Sequence, residues 1–504
     1  MERKNYTVAV DLGSSSVVVA VGERTPEGLL DVVSVVTKPV EGVHAGRIEN
    51  IELVSRAIRD AVSETEQQFG IRITEAYAGI SGEFVRCARH TDHVFVYDPQ
   101  NGVNQKDVDA LFDRMRNVQA PDDETIMERV PQNYLVDDSQ EVRNPVGSFG
   151  KKLSSTFNFI LCQKTPMQRL DMALKRLGIR MLGVVPDAMA TPEAVLLPDE
   201  KEEGVAVVDV GAGVTDVTVY YRNVVRYVAT IPMGASAINR DIRTMSVPEK
   251  HVESLKKKYG SAVAELAPED KLIRVNGRTA REAKDILLRN LATVIEARAT
   301  DIVEFVQQEI KDSGYAERLA YGIVLTGGSA KLKDLDELFR RVTGLDVRVA
   351  VPETGITEAS KERVADPSYS TVVGILLHGA ELGGCAVIER PSAPSVSSPA
   401  AAAASPAQAP TATVRHPYTP TPPASNTFRP VSPRPVQPVP PAPEPVKTDP
   451  QTATPESPTP EEPRETPHEE PREEPRRKRD WGSIFQKTFD KINKSFSAAE
   501  DEEI

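Results

Sequence analysis

Cysteine is scarce in this chain of 504 residues: Cys87, Cys162 and Cys385 are the three, too few and too scattered for a disulfide framework or a zinc site. That scarcity favours a reducing compartment, and the cytoplasm is the expectation. Aromatic residues make up 5% of the chain, and Trp481 is its single tryptophan. No apolar run approaches the roughly 18 to 20 residues that cross a bilayer, and residues 1–6 carry no charged-then-apolar leader. Any membrane contact is therefore expected to be peripheral. A net charge of −13 argues against a nucleic-acid binder that uses its whole surface, and no nucleic-acid partner is expected.

Proline is plentiful but confined: of 40 prolines, 25 fall between Pro391 and Pro475. The chain thus divides into a body and a tail. Residues 391–475 are Pro, Ala, Ser, Thr and Glu with almost no aliphatic periodicity, so they cannot bury enough surface to offset ordering entropy. They read as a disordered linker, which reaches roughly 50 Å as a coil and up to about 260 Å when fully extended.

Beyond the linker the charge reverses sign: residues 476–496 hold seven cations and two acids. Trp481, Ile484, Phe485, Phe489, Ile492 and Phe496 recur at spacings of three, four or seven, with Lys487, Lys491 and Lys494 between them. A helix there has one aromatic face and one cationic face, which fits an anchor lying in an anionic membrane surface over 476–498. Six half-buried apolar side chains at about 1 kcal/mol each and about 1 kcal/mol per net cation are opposed by about 1–2 kcal/mol for each residue ordered. A single copy is a marginal anchor, and a filament of copies gains avidity. The alternative is a helix that docks in a partner's groove.

Within the body, two segments 198 residues apart resemble each other. Tyr6 to Gly22 contains Asp11-Leu-Gly13-Ser14-Ser15-Ser16, and Gly204 to Tyr221 contains Asp209-Val-Gly211-Ala212-Gly213-Val-Thr215. Each reads strand, acid-bearing glycine turn, strand, as expected of two related α/β halves. Helical periodicity follows over Ile51 to Phe69, Lys250 to Tyr259 and Thr279 to Ile310. A small-residue turn exposes backbone amides and has little Cβ bulk to block a phosphate. The acid in each turn would repel phosphate, so its expected use is to hold Mg²⁺ between the halves, with Asp11 and Asp209 as the candidates. A third glycine turn, Gly327-Gly328-Ser329, ends an apolar strand and is expected to enter a helix whose N-terminus faces a ribose or phosphate. A fourth glycine stretch, Tyr369 to Gly379, has helical spacing and is expected to pack closely. His90 and His93 read as a surface pair, Cys87 and Cys162 as small buried apolar groups.

The order of these turns resembles the actin-like ATPase superfamily and, within it, the FtsA family of bacterial cell-division proteins. The FtsA-like features are Asn144-Pro-Val-Gly147, Ile231-Pro-Met-Gly234, Glu253-x-x-Lys256 before Tyr259-Gly260, Gly322-Ile-Val-Leu-Thr-Gly-Gly328 and Asp366-Pro-x-Tyr-Ser-Thr-Val-Val-Gly374. They are co-linear over residues 6–385. The resemblance implies an α/β, actin-like fold of two halves around a nucleotide cleft. The first half would take 1–82 and 166–200, with an FtsA-type insert at 83–165. The second would take 201–234 and 315–390, with a smaller subdomain at 235–314.

By motif, the resemblance assigns ATP contacts to Asp11, Gly13, Ser14, Ser15, Ser16, Asp209, Gly211, Ala212, Gly213, Thr215, Gly234, Glu253, Lys256, Gly327, Gly328 and Ser329. Ser16 stands where the family often has lysine, so it supplies no charge to a phosphate, and hydrolysis is expected to be slow at most. The implied partners are the C-terminal tail of the tubulin-like protein FtsZ, with Arg298 as its contact, further copies of the chain in a filament, other divisome proteins, and the cytoplasmic face of the inner membrane at the division site. The rival readings are a phosphotransferase or ATPase on the same fold and an actin-like scaffold of a pilus or secretion assembly. A basic aromatic tail suits both less well.

Overall fold

The computed structural model describes residues 6–275, 283–385 and 387–389. The expected linker and amphipathic anchor lie outside the described residues.

Two five-stranded sheets share one layout. In the first, Tyr6–Leu12, Ser16–Arg24 and Leu30–Pro39 form an antiparallel meander, and Glu75–Ile80 and Arg180–Pro186 extend it in parallel beyond Tyr6–Leu12. In the second, Val205–Val210, Thr215–Tyr221 and Val224–Ile231 form the meander, and Ile323–Thr326 and Val347–Val349 extend it in the same way. The central strands are buried throughout, as in Val205–Val210, so they read as nearly continuous apolar runs instead of alternating ones. An acid inside such a run is conspicuous.

Helices cover the sheets. Ile51–Phe69 starts where the Asn50 side chain accepts hydrogen bonds from the Glu52 and Leu53 amides, and it ends at Gly70 in the left-handed region, with φ 63°. Its buried stripe, including Val54, Ile58, Ala61 and Val62, joins the core of the first sheet. Ser370–Glu381 returns from the far end of the chain to that same core. Gly374 makes this possible, because a Cβ there would lie 2.0 Å from the Ala190 carbonyl oxygen on helix Asp187–Val195. The expected packing role of this stretch is what the fold uses.

Between the first sheet's fourth and fifth strands sits an inserted, β-rich subdomain. Val85–Phe95, Lys152–Gln163, Glu124–Val136 and Gln140–Val142 form a four-stranded antiparallel sheet, packed by helix Gln105–Arg116 through Leu111 and Met115. A second excursion leaves the other half at Ile231 and holds helices Ala235–Thr244, Glu249–Tyr259 and Leu288–Asp312. The helix expected from Thr279 begins later than its apolar spacing indicates. Lys284–Leu287 is a strand paired with Leu272–Val275, and a four-residue strand is too short to betray its period in sequence.

No helix among the described residues is long and apolar enough to cross a membrane.

Candidate nucleotide site

The two acid-bearing turns are built alike. The Gly13 amide donates to the Ser16 carbonyl at 3.0 Å, and the Gly211 amide to the Val214 carbonyl at 2.9 Å. The turns also meet: a Cβ at Gly213 would lie 2.3 Å from Ser14 Oγ. Ser14 Oγ accepts in addition from the Gly46 amide at 3.2 Å, which fixes the serine from a third side.

The remaining glycines dock on the second turn. The Ala235 and Ser236 amides donate to the Gly211 and Ala212 carbonyls at 3.1 and 2.8 Å. Gly234 lets that helix start approach, since its Cβ would sit 2.5 Å from the Gly211 oxygen. Gly234 therefore braces the turn from behind, and the first amides of helix Ala235–Thr244 are already used. Thr215 is braced likewise, its Oγ1 donating to the Met233 carbonyl at 2.8 Å. Ser329 Oγ donates to the Gly211 carbonyl at 2.9 Å. Gly327, at φ 89°, lies against Asp209, where a Cβ would fall 2.2 Å from Oδ1. The helix expected directly after Gly328 is absent: Gly328–Lys331 is a single 3-10 turn, and Asp334 at φ 61° breaks the chain before helix Leu335–Thr343. A left-handed residue cannot continue a helix, so the amides facing the site come from the turn alone.

Beneath the turns four carboxylates converge: Asp11, Asp187, Asp209 and Asp216. Asp209 and Asp216 are directly opposed across the second hairpin. Asp209 Oδ2 accepts from Thr191 Oγ1 at 3.1 Å and Thr371 Oγ1 at 2.8 Å. Asp216 accepts from Ser81 Oγ at 2.7 Å and from Thr230 Oγ1. Ser81 and Thr191 belong to elements of the first half, so both acids are tied across the cleft. Burial, then the charges of Asp209 and Asp216, push the Asp11 carboxyl up to about 7. Burial also pushes Asp216 up to about 7, against the hydrogen bond from Thr230. Asp187 is raised well above the usual carboxylate range, by burial and then by Asp11, Asp216 and Asp209, and its Oδ1 has no hydrogen-bond partner. Asp209 is also raised by burial, offset in part by its two threonines.

Four acids whose ionised forms are disfavoured and whose donors are all hard oxygens make a setting that a divalent cation would relieve. Among the described residues no three His, Cys, Asp or Glu side chains stand together as a metal cage. Mg²⁺ suits that, because it takes one or two carboxylates and fills the rest of its shell with phosphate oxygens and water. Asp11 and Asp209, expected as the pair, share this cluster; Asp187 and Asp216 were not expected. Asp216 had a signal, an acid within the β-branched and aromatic run Thr215–Tyr221. Asp187 opens helix Asp187–Val195 and reads in sequence as an ordinary first-turn acid.

On the far side of the second turn, Lys256 Nζ pairs with Glu253 at 2.8 Å and reaches the Ala235 carbonyl at 3.5 Å. Their helix ends at Gly260, whose Cβ position is 3.3 Å from Leu332, just past Ser329. The residues expected around adenosine thus neighbour the turn expected to hold it.

Arg298 is placed otherwise. It is 7% exposed, donates to Asp241 at 2.6 Å and pairs with Asp301 at 3.1 Å. Its guanidinium ties helix Leu288–Asp312 to helix Ala235–Thr244. A cavity of about 260 Å³ lies away from the turns, between Arg116, Glu124, Arg129 and Lys164 of the insert's base. His90 stacks on Phe159, and burial pushes the Cys162 thiol up to about 12, which leaves it a packing group.

Two matched sheets joined through paired acidic hairpins define an actin-like protein. A solved structure, the PilM-PilN type IV pilus biogenesis complex, has a similar fold, with a TM-score of 0.51 at 13% identity over 74% of this chain and 98% of that one. At that identity the likeness speaks for fold alone. Within the actin-like class the chain belongs to the FtsA family of cell division proteins. The family model for cell division protein FtsA matches residues 206–374, and that for the SHS2 domain inserted in FtsA matches 82–161. The FtsA of Pseudomonas aeruginosa is 33% identical over 375 residues, covering 74% of this chain and 88% of that protein. The Escherichia coli FtsA is 29% identical over 407 residues (78% and 96%), and that of Bacillus subtilis is 29% identical over 377 (75% and 84%).

Proposed function

We propose that this cell-division protein binds ATP with Mg²⁺ between its two hairpins, polymerises on the cytoplasmic face of the inner membrane, and ties the FtsZ ring to that membrane. The observation that carries the reading is the meeting of the Ser14 and Gly213 turns above Asp11 and Asp209. Amides of both turns would donate to one polyphosphate, so each half is held to the other through the nucleotide. Mg²⁺, when bound, would screen the phosphates from the carboxylates. Ser16 offers the phosphate a hydroxyl and no charge, so turnover is slow and binding is the main event.

Attachment is assigned to the basic segment that carries Trp481, Ile484, Phe485, Phe489, Ile492 and Phe496. The subdomain over 235–314 is assigned to the FtsZ tail, with Arg298 holding its helices together. Because one anchor is marginal, filament formation and membrane residence are coupled. Negative-stain imaging on an anionic lipid monolayer tests this, with and without ATP and with and without residues 476–504. Filaments should appear only with the tail, and in greater number with ATP. Filaments that coat the monolayer equally well without residues 476–504 would refute the anchoring role.

A further inference from the structure

The inserted subdomain belongs to the first half by connectivity, yet it is fastened to the second. Gln132 Nε2 donates to the Val225 carbonyl at 3.0 Å, and Asn158 Nδ2 to the Arg226 carbonyl at 2.9 Å. Both acceptors lie on Val224–Ile231, the outer strand of the second sheet's meander. Arg226 answers from the other side, donating to Gln132 Oε1 and Asn133 Oδ1, each at 3.2 Å, and to its own Tyr221 carbonyl at 3.0 Å. Arg89 reaches the Ser313 carbonyl at the end of helix Leu288–Asp312 at 3.4 Å, and Arg143 pairs with Glu202 at 2.7 Å.

Arg226 makes this contact all-or-none. It is 1% exposed, stacks over Tyr315 at 5.7 Å, and its hydrogen-bond acceptors are neutral amides and a carbonyl. If the insert moves away, a buried guanidinium loses two of its acceptors at once, a state that is strongly disfavoured unless the site floods with water. The halves are thus joined at two separate places: at the cleft, through Ser81 on Asp216 and Thr191 on Asp209, and here, through the insert. Two closures that span the same pair of bodies are linked, and whatever favours one favours the other.

We propose that the insert is a clamp, locked by Gln132, Asn133 and Asn158 on Arg226, that couples occupancy of the nucleotide cleft to the insert's hold on the second half. A partner that pulls the insert away loosens the nucleotide, and nucleotide in the cleft tightens the insert. This rests on the nucleotide reading above and adds a route by which partners at the insert act on it.

Hydrogen–deuterium exchange on the full chain, with and without MgATP, gives the test, together with a fluorescent-ATP titration of the Gln132→Ala/Asn133→Ala variant. Both substituted residues are partly exposed and lie on strand Glu124–Val136 of the insert. MgATP is expected to slow exchange in 13–16 and 211–215 and also in 224–231 and 130–134. The double variant should bind nucleotide about 5- to 150-fold more weakly, the usual span of a coupling between sites, and lose the slowing at 224–231. Slowing confined to the turns, or unchanged affinity in the double variant, overturns the clamp while leaving the nucleotide reading intact. No slowing anywhere overturns both. Should the double variant melt early, Asn158→Asp, which repels the Arg226 carbonyl yet leaves the guanidinium's acceptors in place, must still weaken binding for the clamp to stand.

Discussion

The Ser14 side chain rests on the backbone of Gly213, so close that a Cβ at position 213 would come within 2.3 Å of Ser14 Oγ and 2.6 Å of its Cβ. One residue belongs to the first hairpin and the other to the second. Gly213→Ala therefore forces the turns apart, an overpacking that costs about 1–3 kcal/mol. MgATP affinity should fall by roughly 5- to 150-fold, with less effect on the melting temperature than on binding. A titration with a fluorescent ATP analogue checks this, and an unchanged dissociation constant would show that the turns act separately.

The buried acids give stability a pH dependence whose sign follows from their direction of shift. Asp11 and Asp216 titrate near 7 in the fold and near 3.9 in an unfolded chain. The unfolded chain ionises first, so these groups favour the fold most below about pH 4, and that contribution is lost as pH rises from about 4 through 7. Without nucleotide or Mg²⁺, the melting temperature contributed by this cluster should decline between pH 5.5 and 8. Asp216→Asn should flatten the decline. MgATP should raise the melting temperature more at pH 8 than at 5.5, where part of the charge is already gone. Calorimetry over that range reads all three.

Arg298 yields a prediction about the smaller subdomain. Its side chain is 8% exposed, between Asp241 and Asp301 at 16% each. Removing one partner of a buried pair costs about 3–5 kcal/mol. Arg298→Ala should lower the melting temperature and weaken binding of an FtsZ tail peptide in the same proportion. If Arg298→Ala abolished peptide binding while the melting temperature stayed put, the arginine would be a direct contact.

Trp481→Glu or Phe485→Glu should abolish sedimentation with anionic vesicles and leave MgATP binding as it was. Vesicle binding that survives either substitution would reject the aromatic face as the anchor.

Much of the site was legible because its chemistry is local. An acid-bearing small-residue turn between apolar strands, repeated 198 residues on, announces a duplicated acidic hairpin. What could not be read depends on elements remote in sequence. Asp187 and Asp216 look like a first-turn acid and a stray charge until Gly79, Ser81 and Thr230 close around them. Thr371 lies 162 positions from the Asp209 that it bonds. Arg298 sits on a long helix where spacing alone cannot tell an outward cation from one turned onto Asp241, which is 57 positions earlier. Gly234 packs on the Gly211 carbonyl and Thr215 bonds the Met233 carbonyl, contacts that their motifs do not announce.

The most direct trial is an equilibrium titration of MgATP into the full chain beside Asp11→Ala and Asp209→Ala. One site per chain is predicted, weakened at least tenfold, about 1.4 kcal/mol, by either substitution alone. Wild-type affinity in either variant would mean that the nucleotide is held by one hairpin without the other, and the two halves would not be joined through it.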